Sequence, residues 1–367
     1  MTSTDRAAAY LDIDLGAIAA NYRELARRST PARCAAAIKA DAYGLGAAEV
    51  APVLAAAGCQ QFFVAHIDEG IALRTLLPDV EIAVLHGPWP GTEVEFREQR
   101  LIPVLNEPGQ IERWAKLGRS GDRPLPAILH LDSGINRLGL APADVETLAA
   151  APDRLAGIEL RLAMSHLASA DTPDDPMNDA QRRRFDMLRA KLPDLPASLA
   201  NSSGIFLGPD FHYDMVRPGI ALYGGNPTPG APHPLHEVVR LKGRIVQLRE
   251  IDTDEAVGYG AAFRAQERRR IATVPVGYAD GYLRSLSNRG TAMAAGIEVP
   301  VVGRVSMDLI TIDVTAVPPG TLGPGDTVDL IGNGVALDDL ATQAGTIGYE
   351  LLTALGRRYA RNYRRPA

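Results

Sequence analysis

The stretch AAAIKADAYGLG, residues 35–46, decides how the rest of the chain is read. A short apolar run, Ala35–Ile38, ends on Lys39 and opens into a loop containing Gly44 and Gly46. An apolar run closed by a charged residue and then glycines has the texture of a buried strand leaving its sheet. More such runs follow: Phe62–Ala65, Ile82–Leu85, Ile102–Leu105, Ala127–Leu131, Leu160–Met164, Ser198–Asn201 and Met215–Tyr223. They do not alternate strictly, as expected of strands covered on both faces. Amphipathic stretches lie between them. Asp14 can cap a helix with Leu15, Ile18, Tyr22 and Leu25 on one face, and another helix runs from Asp179 through Phe185 and Leu188. Eight strand–helix units in a row predict an α/β fold with a closed (β/α)8 barrel of the TIM type.

At 367 residues the chain exceeds the roughly 250 of a barrel, so a second domain is expected. The segment NPTPGAPHP, residues 226–234, carries prolines at 227, 229, 232 and 234 and can continue neither strand nor helix. The boundary is placed there: 1–234 as the barrel, 235–367 as a smaller, mainly β domain. Beyond it Val238–Leu248, Arg270–Val276, Val299–Val302, Ile310–Val314 and Thr327–Ile331 read as strands, and about 337–361 as a helix.

Lys and Arg number 38 against 44 Asp and Glu, a net charge of −6, which argues against a nucleic-acid or anionic-membrane surface. Two cysteines, Cys34 and Cys59, make neither a disulfide framework nor a zinc site and read as small core residues. Asp12 and Asp14 interrupt the first residues where a signal peptide needs an apolar run, so a cytoplasmic location is expected.

Sites of such barrels form at the C-terminal ends of the strands. The polar residues closing the runs are Lys39, Asp132 with Arg137, Ser165 with His166, Asn201 with Ser202 and Ser203, and Arg217 with Gly219 and Tyr223. Each alone fits a plain role: a solvated lysine, a salt bridge, a structural histidine, a turn, a buried arginine. Together they would crowd one barrel mouth with cations and hydroxyls. Partial burial favours the neutral amine that Lys39 needs to form an imine. Ser202 and the amides near Gly219 and Ile220 fall where barrels bind phosphate. A phosphate cradle beside an imine-forming lysine implies pyridoxal phosphate (PLP).

AIKADAYGLG, DSGINRLG, SHLASAD, ANSSG, VRPGIALYG, VGYGAAF, VPVGYADGY, VGRVSMD and TIGYELLTALGRRYAR, in that order, resemble the alanine racemase family over nearly the whole chain. The resemblance implies a PLP enzyme that interconverts L- and D-alanine and supplies D-alanine for peptidoglycan. It implies that Lys39 holds PLP as an imine and serves as one base, with Tyr259 as the opposite base. Arg137 and the Met307 amide would bind the substrate carboxylate. Tyr43, Ser202, Gly219, Ile220 and Tyr349 would hold the phosphate. Arg217 would face the pyridine nitrogen, with His166 hydrogen-bonded to it, and Tyr278 and Asp308 would line the entrance. The family's head-to-tail homodimer would place Tyr259 and Met307 in the partner's site.

Many family members carry a carbamylated lysine where this chain has His130, which forms no stable carbamate; a small anion such as chloride is expected beside His130 and Arg137. A second departure is the terminal GRRYARNY, where many relatives have an RVPR-like run. Tyrosine needs nearby positive charge to act as a base, and His166 and Arg217 are candidates to supply it. Alternative readings are a serine, lysine or broad-specificity racemase, a barrel-type PLP decarboxylase, and a non-catalytic PLP-binding barrel. Decarboxylases of that type have an acidic partner at the ring nitrogen, where this chain has Arg217.

Overall fold

A computed structural model describes residues 6–365. The chain divides into two compact units. One holds 18–222 and 226–236; the other holds 6–17, 223–225 and 237–365 of the described residues.

The first unit is the barrel. Its strands are β2 (Arg33–Cys34), β3 (Ala36–Ala37), β4 (Gln61–Val64), β5 (Glu81–Val84), β6 (Ile102–Leu105), β7 (Leu125–His130), β8 (Ile158–Met164), β9 (Ala197–Ser198) and β10 (Met215–Val216). β3 to β9 form one parallel sheet in sequence order, and β10 pairs in parallel with β2. β3 falls within the predicted first run, Ala35–Ile38, and β2 extends it towards the start of the chain. Asp214 and Arg217 donate their amides to Ala197 and Ala200 at 3.0 and 2.9 Å, joining β9 to β10 and closing the curl. All four residues of β4 and of β6 are buried, which explains their lack of alternation. The interior is filled by one inward residue or more from nearly every strand: Ala35, Phe63, Ala83, Ile102, Val104, Ile128, Leu162, Met164 and Met215.

The predicted helices form, the first capped by Asp14 as expected and the second starting at Pro176, before Asp179. Asp14 Oδ1 accepts the Ala17 amide at 2.8 Å at the start of helix Leu15–Ser29. Asp175 Oδ1 accepts the Met177 amide at 2.8 Å at the start of helix Pro176–Arg189. Cys59 is buried and its thiol pKa is pushed up to about 12, mainly by burial. Cys34 is half-buried, and both thiols are free.

The second unit is mainly β, with one difference from the sequence division. β1 (Ala9–Asp14) lies between β11 (Val239–Arg244), antiparallel, and β20 (Ala360–Arg364), parallel. The start of the chain therefore belongs with its end, a long-range pairing that no local pattern announces. The sheet is completed by β16 (Thr291–Ala294), β17 (Ile297–Pro300) and β19 (Thr327–Ile331). A second sheet joins β12 (Gln247–Ile251), β15 (Arg269–Val274) and β18 (Ile310–Asp313), and β13 (Ala256–Val257) pairs with β14 (Phe263–Arg264). The expected helix over 337–361 is corrected. It is two helices, Leu337–Ala344 and Gly348–Ala354, followed by β20. Gly345 takes the left-handed C-cap conformation (φ 72°) and ends the first. Among the described residues no helix is long and apolar enough to cross a membrane.

Candidate active site

Lys39 stands two residues beyond β3, where a left-handed turn begins. Ala40, Asp41, Ala42 and Tyr43 all have φ of 54–55°, and Gly44 follows at 83°. Left-handed backbone costs an L-residue roughly 1–2 kcal/mol each, so such a run persists only where surroundings impose it. The Gly44 amide bonds Ala40 O at 2.7 Å and the Gly46 amide bonds Asp41 O at 2.9 Å. Asp41 Oδ1 accepts the Ala47 amide at 2.7 Å. The half-buried Lys39 amine has its pKa lowered, first by burial, then by the Arg137 charge, with Glu69 opposing. The turn buries Tyr43 against Gly219: a Cβ at Gly219 would collide with the phenol oxygen.

The loops after β9 and β10 meet there. The buried Ser202 Oγ accepts the Gly219 amide at 2.9 Å and the Ala221 amide at 3.2 Å. Ile220 opens the 3-10 turn Ile220–Tyr223, so its amide is one of the donors a helix start leaves free.

Arg217 is buried, and its guanidinium is pinned. Nη1 donates to Ser198 Oγ, Nη2 donates to Ser165 O at 2.6 Å, and His166 Nδ1 lies 3.5 Å from Nη2. Burial brings its pKa down to about 10, which leaves it charged at neutral pH. His166 is held well below its ordinary value by burial, then by Arg217 and Arg137. A neutral His166 supplies no positive field, so it is removed as a helper of Tyr259. Beneath it Ser165 Oγ meets Ser133 Oγ at 2.7 Å, and Gln181 donates to His166 O at 3.0 Å.

His130, at the end of β7, is buried, and burial followed by the Arg217 charge takes its pKa to about 3. Asn106 donates its Nδ2 to Leu85 O and Val104 O at 3.0 and 2.9 Å, which fixes Oδ1 as the acceptor facing His130 Nδ1 at 2.8 Å. Nδ1 therefore carries the proton, and Nε2 is a buried lone pair without a partner. That nitrogen offers an anion no donor. The expected chloride would have to be held by Arg137 without His130. Over this ring folds the loop bearing the exposed Arg137. Leu140 donates to His130 O at 2.7 Å, the Asp132 amide to Leu140 O at 3.0 Å, and Gly139 packs on the imidazole edge. Asp132 Oδ1 accepts the Gly134 and Asn136 amides at 2.9 and 3.2 Å, a turn-forming role.

The remaining candidates lie in the second unit and share one property, exposure. Tyr259 is 73% exposed and Met307 53%; Tyr278 and Tyr349 are also open. Tyr259 opens the turn Tyr259–Ala261 between β13 and β14, with Gly258 and Gly260 at positive φ and the Arg304 guanidinium against Gly260. Met307 O and Ser306 O each accept an amide, from Ala279 and Tyr278, at 3.0 Å, which ties the Met307 loop to that of Tyr278. Arg358 donates to Asp308 Oδ1 at 2.7 Å and, in a two-pronged pair, to Asp280 at 2.5 and 2.8 Å. Sequence reasoning passed over Arg358, Asn106 and Glu69. Arg358 sits inside the divergent GRRYARNY segment, which was the available signal.

Family models for the N-terminal domain of alanine racemase match residues 13–227 and for its C-terminal domain residues 238–363. The chain belongs to the alanine racemase family. It is 53% identical to the alanine racemase of Rhodospirillum rubrum over 99% of this chain and 98% of that protein. It is 49% identical to a catabolic alanine racemase of Mesorhizobium japonicum over 97% of this chain and 93% of the other. Among solved structures, alanine racemase from Bartonella henselae, with covalently bound pyridoxal phosphate, superposes with a TM-score of 0.94 at 42% identity, covering 98% of this chain and all of that one. The biosynthetic alanine racemase of Pseudomonas aeruginosa superposes with a TM-score of 0.91 at 35% identity, covering 98% of this chain and 99% of that one.

Proposed function

We propose how the residues of this chain carry out its family's reaction. The chain is an isomerase that interconverts L-alanine and D-alanine, and its cofactor is pyridoxal phosphate. The barrel mouth fits that cofactor. The missing Cβ of Gly219 makes room for the Tyr43 phenol, Ser202 braces the Gly219 loop, and the Ile220 amide supplies a donor for phosphate. When bound, PLP supplies the electron sink that lets the α-proton leave.

Lys39 would hold the cofactor through Nζ, with Tyr43, Ser202, Gly219, Ile220 and Tyr349 around its phosphate. Arg217 would face the ring nitrogen, with His166 beside the guanidinium. A guanidinium only donates hydrogen bonds and keeps its charge, so it cannot stabilise a protonated ring nitrogen as a carboxylate does. That restrains charge build-up in the ring and suppresses side reactions. Arg137 and the Met307 amide anchor the substrate carboxylate. Lys39 moves the α-proton on one face and the Tyr259 phenol on the other. Tyr278 and Asp308 line the approach, with Asp308 fixed by Arg358.

The desolvated amine of Lys39, its pKa lowered by burial and by the Arg137 charge, is the observation that carries this assignment. It is tested by chiral analysis of products from L-alanine and then D-alanine. Lys39→Ala is expected to abolish both directions. Tyr259→Ala is expected to remove deuterium wash-in from one enantiomer preferentially; equal loss from both would refute the two-base assignment.

The exposed Tyr259, Tyr278, Met307 and Tyr349 support a homodimer in which the second unit completes the partner's site. The net charge of −6 favours no nucleic-acid or membrane partner. We also infer a cytoplasmic enzyme whose D-alanine feeds peptidoglycan. Racemisation has no intrinsic direction, so consumption of D-alanine sets the flow. A strain lacking the gene is expected to need added D-alanine; growth without it would overturn that role.

A further inference from the structure

We propose that Glu69 is a positioning residue for Lys39, clamping the amide that follows the lysine to the end of the neighbouring strand. The inference rests on the reading of Lys39 as the cofactor-bearing base. Glu69 lies in the first turn of helix Ile67–Leu76, just beyond β4. Its Oε1 accepts the Ala40 amide at 2.6 Å, and its Oε2 accepts the amides of Ala65 at 2.7 Å and His66 at 3.2 Å.

An acid in the first turn of a helix ordinarily caps its own start, which accounts only for the longest of these bonds. The two shorter ones leave the helix. One reaches the end of β4, and the other reaches the residue after Lys39, 29 positions back along the chain. Ala40 is also the first residue of the left-handed run. Of the four residues in that run only Asp41 is of a type that visits this conformation readily. Fixing the first amide of the run fixes the direction in which the chain leaves Lys39, and hence where the lysine's amine points. A carboxylate can accept on both oxygens at once. A glutamine of the same size has one accepting oxygen and must set its NH2 against one of the amides.

Glu69→Gln is the test, with two controls. Lys39→Ala examines the underlying reading. Asp175→Ala removes a helix cap elsewhere in the barrel unit and so matches a purely structural loss. Glu69→Gln is expected to keep its covalent cofactor and a KM for alanine within about threefold. Its kcat should fall ~10- to 100-fold in both directions, as misplacement of a catalytic group does. The visible circular dichroism of bound PLP, which reports the orientation imposed by Lys39, should change in Glu69→Gln and not in Asp175→Ala. Unchanged kcat and dichroism in Glu69→Gln, with Lys39→Ala inactive, would overturn the role of Glu69 alone. An active Lys39→Ala would overturn the reading beneath it.

Discussion

At the scale of single residues, the site is a set of charges whose protonation is decided by burial. Arg217 keeps its charge because Ser198 and Ser165 occupy its donors. Arg217→Glu is expected to produce a long-wavelength absorbance with alanine and pyruvate from side transamination. An unchanged spectrum and product profile would contradict its place at the ring nitrogen. His130 is the opposite case, a histidine kept neutral. Its pKa in the fold, about 3, lies below its ordinary value of 6.5. Between those values the unfolded chain binds the extra proton, so the stability that neutral His130 contributes is whole above pH 6.5 and drains as pH falls towards 3. The slope from one such group approaches about 1.4 kcal/mol per pH unit. Urea midpoints of the parent and His130→Asn, measured from pH 7 downward, should therefore converge as pH falls. Parallel curves would show that His130 takes its proton without penalty.

At the scale of elements, the functional geometry is made where strands end and loops cross. Gly219→Ala tests the cradle. Its methyl group would meet the phenol of Tyr43, itself held by the left-handed run. PLP affinity measured by equilibrium dialysis is expected to fall at least ~10-fold, since the Tyr43 phenol is buried in close packing and has little room to retreat. Retention of full affinity would move the phosphate elsewhere. Elements of this kind were legible in the sequence to very different degrees. The barrel strands could be read because buried strands are continuous apolar runs, and Lys39, Arg137, His166, Ser202 and Arg217 were singled out because they close those runs. The pairing of β1 with β11 and β20 could not, because partners more than 200 residues apart share no local signal. The left-handed run was hidden because Ala, Asp, Ala and Tyr announce no such turn; it is imposed by contacts such as that of Glu69. Asn106 and Arg358 escaped for the same reason. Each holds another side chain, Asn106 that of His130 and Arg358 that of Asp308, and only the fold shows which.

At the scale of the molecule, the proposed roles divide between the two units. The barrel carries Lys39, Arg137 and the loops of Ser202 and Gly219. The second unit carries Tyr259 and Met307 on exposed loops, where aromatic and thioether side chains are costly to leave in water. Whether the two bases of one site come from one chain or from two has a direct test. Lys39→Ala and Tyr259→Ala are each expected to be inactive as racemases. If Tyr259 acts across a two-fold dimer, a mixed dimer has one site lacking both bases and one site with both. Unfolding and refolding the two variants together at equal amounts makes half the dimers mixed, so activity should recover to about a quarter of the parent's. If both bases belong to one chain, no combination restores a complete site, and the mixture stays inactive. Recovery that appears only after subunit exchange, and scales with the mixed-dimer fraction, ties the activity to assembly: the exposed phenol is then half of a site that a single chain does not possess.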